Sequence, residues 1–199
     1  NNLICYNKHG DIMKTITKNS SNQIEIKNSK FITELIKIDN PDIKDIIEEL
    51  KIKYPKATHY TYALRLDNYQ KSSDDKEPGG TAGMPMLNVL EKEELINVLA
   101  VTIRYFGGIK LGAGGLVRAY SKSVKEAINN AELKEVEKGY KIELETEYEK
   151  QKELDYLLKD QVIINKEYNL SVKYLFYLKK EDLNILNNYN YKIISEEYY

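Results

Sequence analysis

The chain has 199 residues, with 30 Lys or Arg against 31 Asp or Glu, so its formal net charge is −1. This length is typical of one large or two small domains, and a hydrophobic content of 42% argues against global disorder. No run approaches the roughly 18 apolar residues of a membrane span, so we expect no membrane partner. The single cysteine, Cys5, excludes an internal disulfide and is compatible with a cytoplasmic protein.

The first part of the chain predicts a tail followed by two strands. Residues 1–18 are interpreted as a tail or leader, because no ordered pattern begins before Met13. Short apolar alternations then predict strands over 24–26 and 31–36, with a turn at Asn28 and Ser29 between them.

A helix, a strand and a long loop are predicted next. Asn40 followed by Pro41 is typical of a helix start, because Asn caps and proline fits the first helical position. This helix should end before Pro55, and residues 58–66 should form a strand. The sixteen residues 67–82 then predict a loop, and ordered loops of that length are usually functional.

The central segment predicts a helix, a buried strand, a glycine-rich loop and a second helix. The first helix covers 84–90, with Thr81 as a candidate N-cap. The strand 96–105 is almost wholly apolar, which indicates burial on both faces. After the loop 106–115, a helix over 116–131 should turn six side chains inward. These are Leu116, Val117, Tyr120, Val124, Ala127 and Ile128.

The remainder predicts a second domain. A boundary is expected at 135–139, which gives domains over 19–135 and 139–199 and an α+β fold. The second domain has the order βαββαβ of ferredoxin-like folds. Its predicted elements are a strand at 140–147, a helix at 149–159, strands at 162–167 and 171–178, a helix at 181–187 and a strand at 191–195.

The glycine loop before a helix predicts an anion-binding site. Helix N-termini have unpaired N–H groups and a positive dipole end, and glycines let the backbone approach a phosphate. Residues 100–125 contain no acidic side chain, so a phosphate or nucleic-acid backbone is favoured there. The candidate residues are Arg104, Lys110, Gly112, Gly114, Gly115, Arg118 and Lys122. The alternatives are a solvated helix face, or glycines that serve only close packing. The spacing matches neither a Walker loop nor a dinucleotide-binding fingerprint.

Other candidate groups allow two interpretations each. Asp74, Asp75 and Glu77 could bind Mg²⁺ or act as acid and base, or they could form a solvated turn or pair with the basic segment. His59 could be a general base, although a structural histidine is favoured. Two histidines and one cysteine do not define a zinc site, and no cofactor is expected. Tyr105 is a candidate for stacking on nucleic-acid bases, and Tyr120 is another.

Two long motifs resemble the YigZ/IMPACT family. Residues 73–85 resemble its signature loop, and residues 104–120 resemble its glycine motif. The loop positions that carry the first match are Asp74, Asp75, Glu77, Pro78, Gly80, Thr81 and Gly83. The resemblance implies a first domain like domain 2 of ribosomal protein S5. The second domain is similar to the last domain of elongation factor G.

The resemblance implies a role in translation more than a defined activity. The preferred hypothesis is a protein that binds RNA, the ribosome or translation factors through the glycine loop and the basic helix. One alternative is an enzyme that acts on a phosphorylated small molecule, since S5-like folds are shared with metabolite kinases. Another is a protein-interaction module that docks through its acidic second domain.

Overall fold

The computed structural model describes residues 12–199, which form two compact α+β units with an antiparallel sheet in each. The units comprise residues 13–135 and 136–199, and the chain passes from one to the other within strand β7. The first unit contains β1 (Ile12–Ile16), β2 (Ser20–Ile26), β3 (Ser29–Lys37), α1 (Lys44–Lys53), β4 (His59–Arg65), β5 (Gln70–Ser73), α2 (Gly83–Lys92), β6 (Val98–Tyr105) and α3 (Ala113–Asn129). Strand β7 (Leu133–Thr146) then leads into α4 (Gln151–Leu157), β8 (Ile163–Tyr168), β9 (Val172–Lys179) and β10 (Tyr191–Tyr198).

The first unit is a sheet covered by helices on both faces. Its strand order is β2-β3-β6-β4-β5, and every neighbouring pair is antiparallel. Because side chains alternate along a strand, Val98 and Ala100 of β6 pack with the α2 and α3 side chains. Leu99 and Val101 pack on the opposite face with the side chains around α1. The prediction that this strand is buried on both faces is confirmed.

Buried hydroxyl groups fix α3 on the sheet. The Thr33 hydroxyl lies 2.8 Å from that of Thr102 and 2.7 Å from that of Ser123, so it links β3, β6 and α3. One turn earlier on α3, the Tyr120 ring meets Phe31 edge to face at 5.2 Å. These contacts set the position of the α3 amino terminus above the sheet.

The predicted amino-terminal tail is wrong in the part that the structure describes. Residues 12–16 form β1, and Ile16 is fully buried in the core. The Lys14 N–H donates to the Glu94 carbonyl, and the Ile96 N–H donates to the Lys14 carbonyl. Cys5 and His9 lie outside the described residues.

The first hairpin and helix begin at different residues from those predicted. The hairpin turns at Lys27 and Asn28, which both have positive φ (45° and 61°), as two-residue hairpin loops require. Helix α1 begins at Lys44 instead of Pro41. The Asn40 side chain forms a local turn, because its Oδ1 accepts the N–H of Asp42.

Two predictions around the glycine segment are also corrected. The predicted loop 67–82 contains strand β5, which pairs with β4 as a hairpin. Helix α3 begins at Ala113, so Gly114 and Gly115 lie in its first turn instead of before it. Val117 is 37% exposed, unlike the other five side chains predicted to face inward.

The second sheet has five strands: β7 pairs with β1, β9 and β10, and β8 pairs with β9. The pairs of β7 with β9 and β10 and of β8 with β9 are antiparallel. Alternate residues of β9, such as Tyr174 and Phe176, are fully buried and pack with Leu154 of α4. Leu186 joins this core from a 3-10 helix, Lys180–Leu186, where an α-helix was predicted. No described helix combines the length and the apolar character that crossing a bilayer requires.

Candidate functional site

A cavity of about 450 Å³ lies between the strand ends and the amino terminus of α3. His59 of β4 pairs directly with Arg104 of β6, so both side chains lie on the sheet face that α2 and α3 cover. The cavity wall is part polar and part apolar. It is formed by Thr58, His59, Glu77, Pro78, Arg104, Phe106, Lys110, Leu111, Gly112, Ala113 and Leu116.

A buried ion pair forms the floor of this site. Arg104 Nη1 donates to Glu77 Oε1 at 2.5 Å, and the residues are 5% and 8% exposed. The Tyr120 hydroxyl donates to the same oxygen at 2.8 Å. Burial, together with the Glu77 charge, raises the pKa of Tyr120 far above its ordinary value, so the phenol stays neutral. Glu77 therefore gathers two donors on one oxygen.

The guanidinium group of Arg104 is only partly satisfied. It lies 5.4 Å from the centre of the Phe31 ring and 5.5 Å from that of Phe106, and Nη2 is 3.4 Å from Ser29 Oγ. Its buried Nε has no hydrogen-bond partner within the described chain. An unsatisfied buried donor costs about 1–3 kcal/mol, and this Nε is shielded from solvent.

His59 is held by a backbone contact. Its Nδ1 lies 2.7 Å from the Asp75 carbonyl oxygen, and this contact assigns a proton to Nδ1. Its Nε2 lies 3.7 Å from Glu77 Oε1. The histidine thus has the structural contact that the sequence favoured, and it also lines the cavity.

The amino terminus of α3 has no side-chain cap among the described residues. Gly112 occupies the N-cap position with φ +72°, a conformation that favours glycine, and it makes no side-chain capping bond. Its carbonyl accepts the first helical hydrogen bond, from the Leu116 N–H. Ala113, the first residue of the helix, lines the cavity together with Lys110 and Gly112, so the positive dipole end of α3 lies beside it. Gly115 has a packing role too, because an added Cβ there would lie 3.0 Å from Leu111 Cβ.

The structure divides the predicted cationic residues between two places. Arg104 and Lys110 line the cavity. Arg118 is exposed on α3, with its guanidinium group beside Gly114. Lys122 lines a separate groove between α2 and α3, next to Val89. Gly114 and Gly115 are also absent from the cavity wall. Four of the seven predicted anion-binding residues therefore do not line the cavity.

Asp74 caps a different helix. Its carboxylate accepts the N–H groups of Gly80, Ala82 and Gly83 at 2.8–2.9 Å, at the amino terminus of α2. Partial burial alone would raise the pKa of Asp74, but these three backbone bonds together lower it below its ordinary value. Asp74 is thus a structural anion for α2.

The rest of the signature loop shapes this cap. Thr81 is not the predicted N-cap, since its hydroxyl donates to the Pro78 carbonyl at 2.6 Å. Gly80 has φ +75°. Gly83 lies so close to β5 that an added Cβ would be 2.7 Å from the Ser73 nitrogen. The loop motif therefore builds the helix start and places Glu77 beneath the cavity.

The three loop carboxylates do not converge. Asp75 Oδ2 accepts the Tyr60 N–H at 2.6 Å, whereas Asp74 and Glu77 have the partners given above. Among residues 12–199, no cluster of three or more His, Cys, Asp or Glu is placed to hold a metal ion. For Glu77, the alternative of pairing with the basic segment is confirmed by its contact with Arg104.

Sequence reasoning assigned two aromatic residues wrongly and missed a third. Tyr120 is fully buried, and Tyr105 packs with the side chains around α1 on the opposite face of the sheet, so neither ring lines the cavity. Phe106 is 46% exposed and lines the cavity. Its position beside the glycine loop was the only signal in the sequence that could have identified it.

A comparison with known protein families identifies the family of this chain. The model of the Impact N-terminal domain matches residues 27–128, just over half of the chain. The chain belongs to the IMPACT family. The match includes the signature loop and the glycine motif, and so every residue of the cavity wall.

Three bacterial members of the IMPACT family are similar to this chain in sequence. IMPACT family member YvyE of Bacillus subtilis is 45% identical over 120 residues, which are 58% of this chain and 55% of YvyE. A Haemophilus influenzae member is 42% identical over 125 residues, 60% of this chain and 58% of that protein. The alignments thus span a little over half of these two relatives. YigZ of Escherichia coli is 37% identical over 156 residues, which are 74% of this chain and 76% of YigZ.

A solved structure supports the architecture of the IMPACT chain. The crystal structure of a hypothetical protein superposes with a TM-score of 0.66 at 30% identity. It covers 94% of this chain and 99% of that one.

Proposed function

We propose that this IMPACT protein binds RNA or a ribosomal component and acts in the regulation of translation. The observation that carries the proposal is the uncapped amino terminus of α3, which opens on a cavity that Lys110 and Arg104 also line. The helix amino terminus and the Lys110 ammonium group attract acceptor oxygens, and phosphate groups supply them.

The proposed architecture agrees with this role. We infer that the first unit is like domain 2 of ribosomal protein S5. The second unit runs strand, α-helix, strand, strand, 3-10 helix, strand, and its fourth, first, third and second strands are neighbours in the sheet. This arrangement supports the ferredoxin-like assignment, with the last domain of elongation factor G as the related fold.

The proposal gives the cationic residues two different binding roles. The first-turn N–H groups of α3 and the Lys110 ammonium group bind a phosphate at the cavity. Arg118 and Lys122 are exposed on α3 and contact neighbouring phosphates of the same RNA strand. Phosphate contacts of this kind position a nucleic acid without reading its sequence.

Charge reversal on α3 tests the proposal. In the double variant Arg118→Glu/Lys122→Glu we expect weaker binding to single-stranded RNA, because two phosphate contacts become repulsive. The slope of log K against log salt should fall in magnitude by about 1.5. Fluorescence anisotropy at several salt concentrations measures both quantities.

The matched control changes the same charge on the opposite face of the sheet. Lys44→Glu/Lys56→Glu replaces two exposed lysines near α1, so its slope should stay close to that of the unmodified protein. RNA binding that is absent at low salt, or equal losses in the two double variants, would contradict the proposal.

A second candidate function is an enzyme that acts on a phosphorylated small molecule. The polar side chains of Glu77, Arg104 and His59 in the cavity wall favour it, because RNA phosphates alone need no such cavity. A dose-dependent thermal shift with ATP and Mg²⁺, together with no binding of RNA, would favour the enzyme.

A further inference from the structure

We propose that the cavity binds one nucleoside monophosphate group, either as a free nucleotide or as the phosphorylated end of an RNA chain. The inference rests on the proposed function, since it names the ligand of the same site. It depends on three features of the cavity: its donors, its apolar wall and its acceptors.

The donors at one end fit a phosphate. The amino terminus of α3 has no side-chain cap in the described chain, and Lys110 lies beside it. Arg104 is nearly fully buried and its residue also lines the cavity. An apolar ligand would leave Lys110 and the α3 amino terminus without an acceptor, so we infer that the ligand carries oxygen acceptors.

The size and the apolar wall of the cavity leave room for more than a phosphate. A cavity of about 450 Å³ lies within the range of sites that bind organic ligands. Leu111 and Leu116 provide apolar surface, and Phe106 presents a ring that is 46% exposed. The Phe106 N–H donates to Thr58 Oγ1 at 3.0 Å, which fixes the backbone that carries this ring. An exposed aromatic face beside phosphate donors fits a nucleobase, because every base can stack on it.

The acceptors on the floor fit the hydrogen-bond donors of a nucleoside. The proton on His59 Nδ1 leaves Nε2 as an acceptor in the neutral ring. The Glu77 carboxylate lies beside it, and both groups line the cavity. Hydroxyl groups of a ribose and amino groups of a base supply matching donors.

Calorimetric titration of the full chain tests the proposal. The probes are the four nucleoside 5′-monophosphates, their nucleosides and inorganic phosphate. We expect at least one monophosphate to bind more than tenfold more tightly than its nucleoside and than inorganic phosphate. Phe106→Ala should weaken that binding at least fivefold and leave the response to inorganic phosphate unchanged.

Tyr69→Ala is the matched control, since it removes another exposed ring that is absent from the cavity wall. It should bind the nucleotide as the unmodified protein does. A second series uses pentanucleotide RNA with and without a 5′-phosphate. A preference for the phosphorylated RNA that Phe106→Ala abolishes would support the proposal and identify RNA ends as the source.

The proposal is overturned if no monophosphate binds at millimolar concentration and RNA binding ignores the terminal phosphate. It is also overturned if Phe106→Ala and Tyr69→Ala behave alike. Neither result bears on salt-dependent RNA binding through Arg118 and Lys122. The inference can therefore fail while the proposed function is still supported. Binding of a monophosphate without any binding of RNA supports the inference and removes the RNA part of the proposed function.

Discussion

Replacing Glu77 by Gln is expected to lower the free energy of unfolding by about 3–5 kcal/mol, because it leaves the charge of Arg104 buried without a partner. Both side chains are almost inaccessible, and Arg104 Nη1 lies 2.5 Å from the carboxylate. Tyr120 donates to the same oxygen, so its hydroxyl would also lose a charged acceptor. Chemical denaturation of the purified variant measures the loss.

Two further variants decide whether the buried charge is the cause. Glu91→Gln removes an exposed carboxylate from α2 and should change stability by less than about 0.5 kcal/mol. Glu77→Leu/Arg104→Met removes both charges and should be clearly more stable than Glu77→Leu alone. Equal denaturation midpoints for Glu77→Gln and Glu91→Gln would contradict the ion pair, as would additive losses in the double variant.

Gly107→Ala is expected to cost about 3 kcal/mol or to prevent folding, because the glycine touches the backbone of the β2–β3 turn. A Cβ added there would lie 2.0 Å from the Asn28 carbonyl carbon and 2.5 Å from the Ser29 nitrogen. The Gly107 N–H also donates to Ser29 Oγ at 3.2 Å. The atoms that the added Cβ would meet are backbone atoms, which cannot move aside as a flexible side chain can. The hairpin or the loop that carries Phe106 must therefore shift.

Gly79→Ala is the control for this substitution. An added Cβ at Gly79 meets no atom within 4 Å, and the residue does not have positive φ. Thermal unfolding of the two variants should therefore differ by many degrees in midpoint. A Gly107→Ala protein as stable as Gly79→Ala would contradict the close approach of this loop to the hairpin.

Much of the first unit could be predicted because its signals are local. The apolar run of β6 identified a central strand, and helical spacing identified the inward face of α3. The succession of elements in the second unit followed from alternation and turn residues. Local patterns fix such elements because their side-chain periods differ.

The contacts of the site could not be predicted because they join residues far apart in sequence. Glu77 and Arg104 are separated by 27 positions, and no periodic pattern links them. Asp74 reaches amides six to nine residues further on, so it displaced the local cap expected of Thr81. Strand β1 was missed because its short pattern lies beside a polar segment.

The two long helices on one face of the sheet show why α3 is the proposed ligand site. The amino terminus of α2 is already occupied by the Asp74 carboxylate. The amino terminus of α3 has Gly112 as its N-cap residue and no side-chain cap in the described residues. The same physical chemistry that holds Asp74 at α2 is the reason for proposing a phosphate at α3.

Backbone amide chemical shifts test this claim most directly. The ¹⁵N-labelled protein is titrated with a short 5′-phosphorylated RNA, and the amides of residues 113–115 are compared with those of Ala82 and Gly83. The account predicts saturable shifts at residues 113–115 and little change at the two amides that Asp74 already binds. Unchanged resonances at residues 113–115 while the RNA binds elsewhere, or no response to the RNA at all, would contradict it.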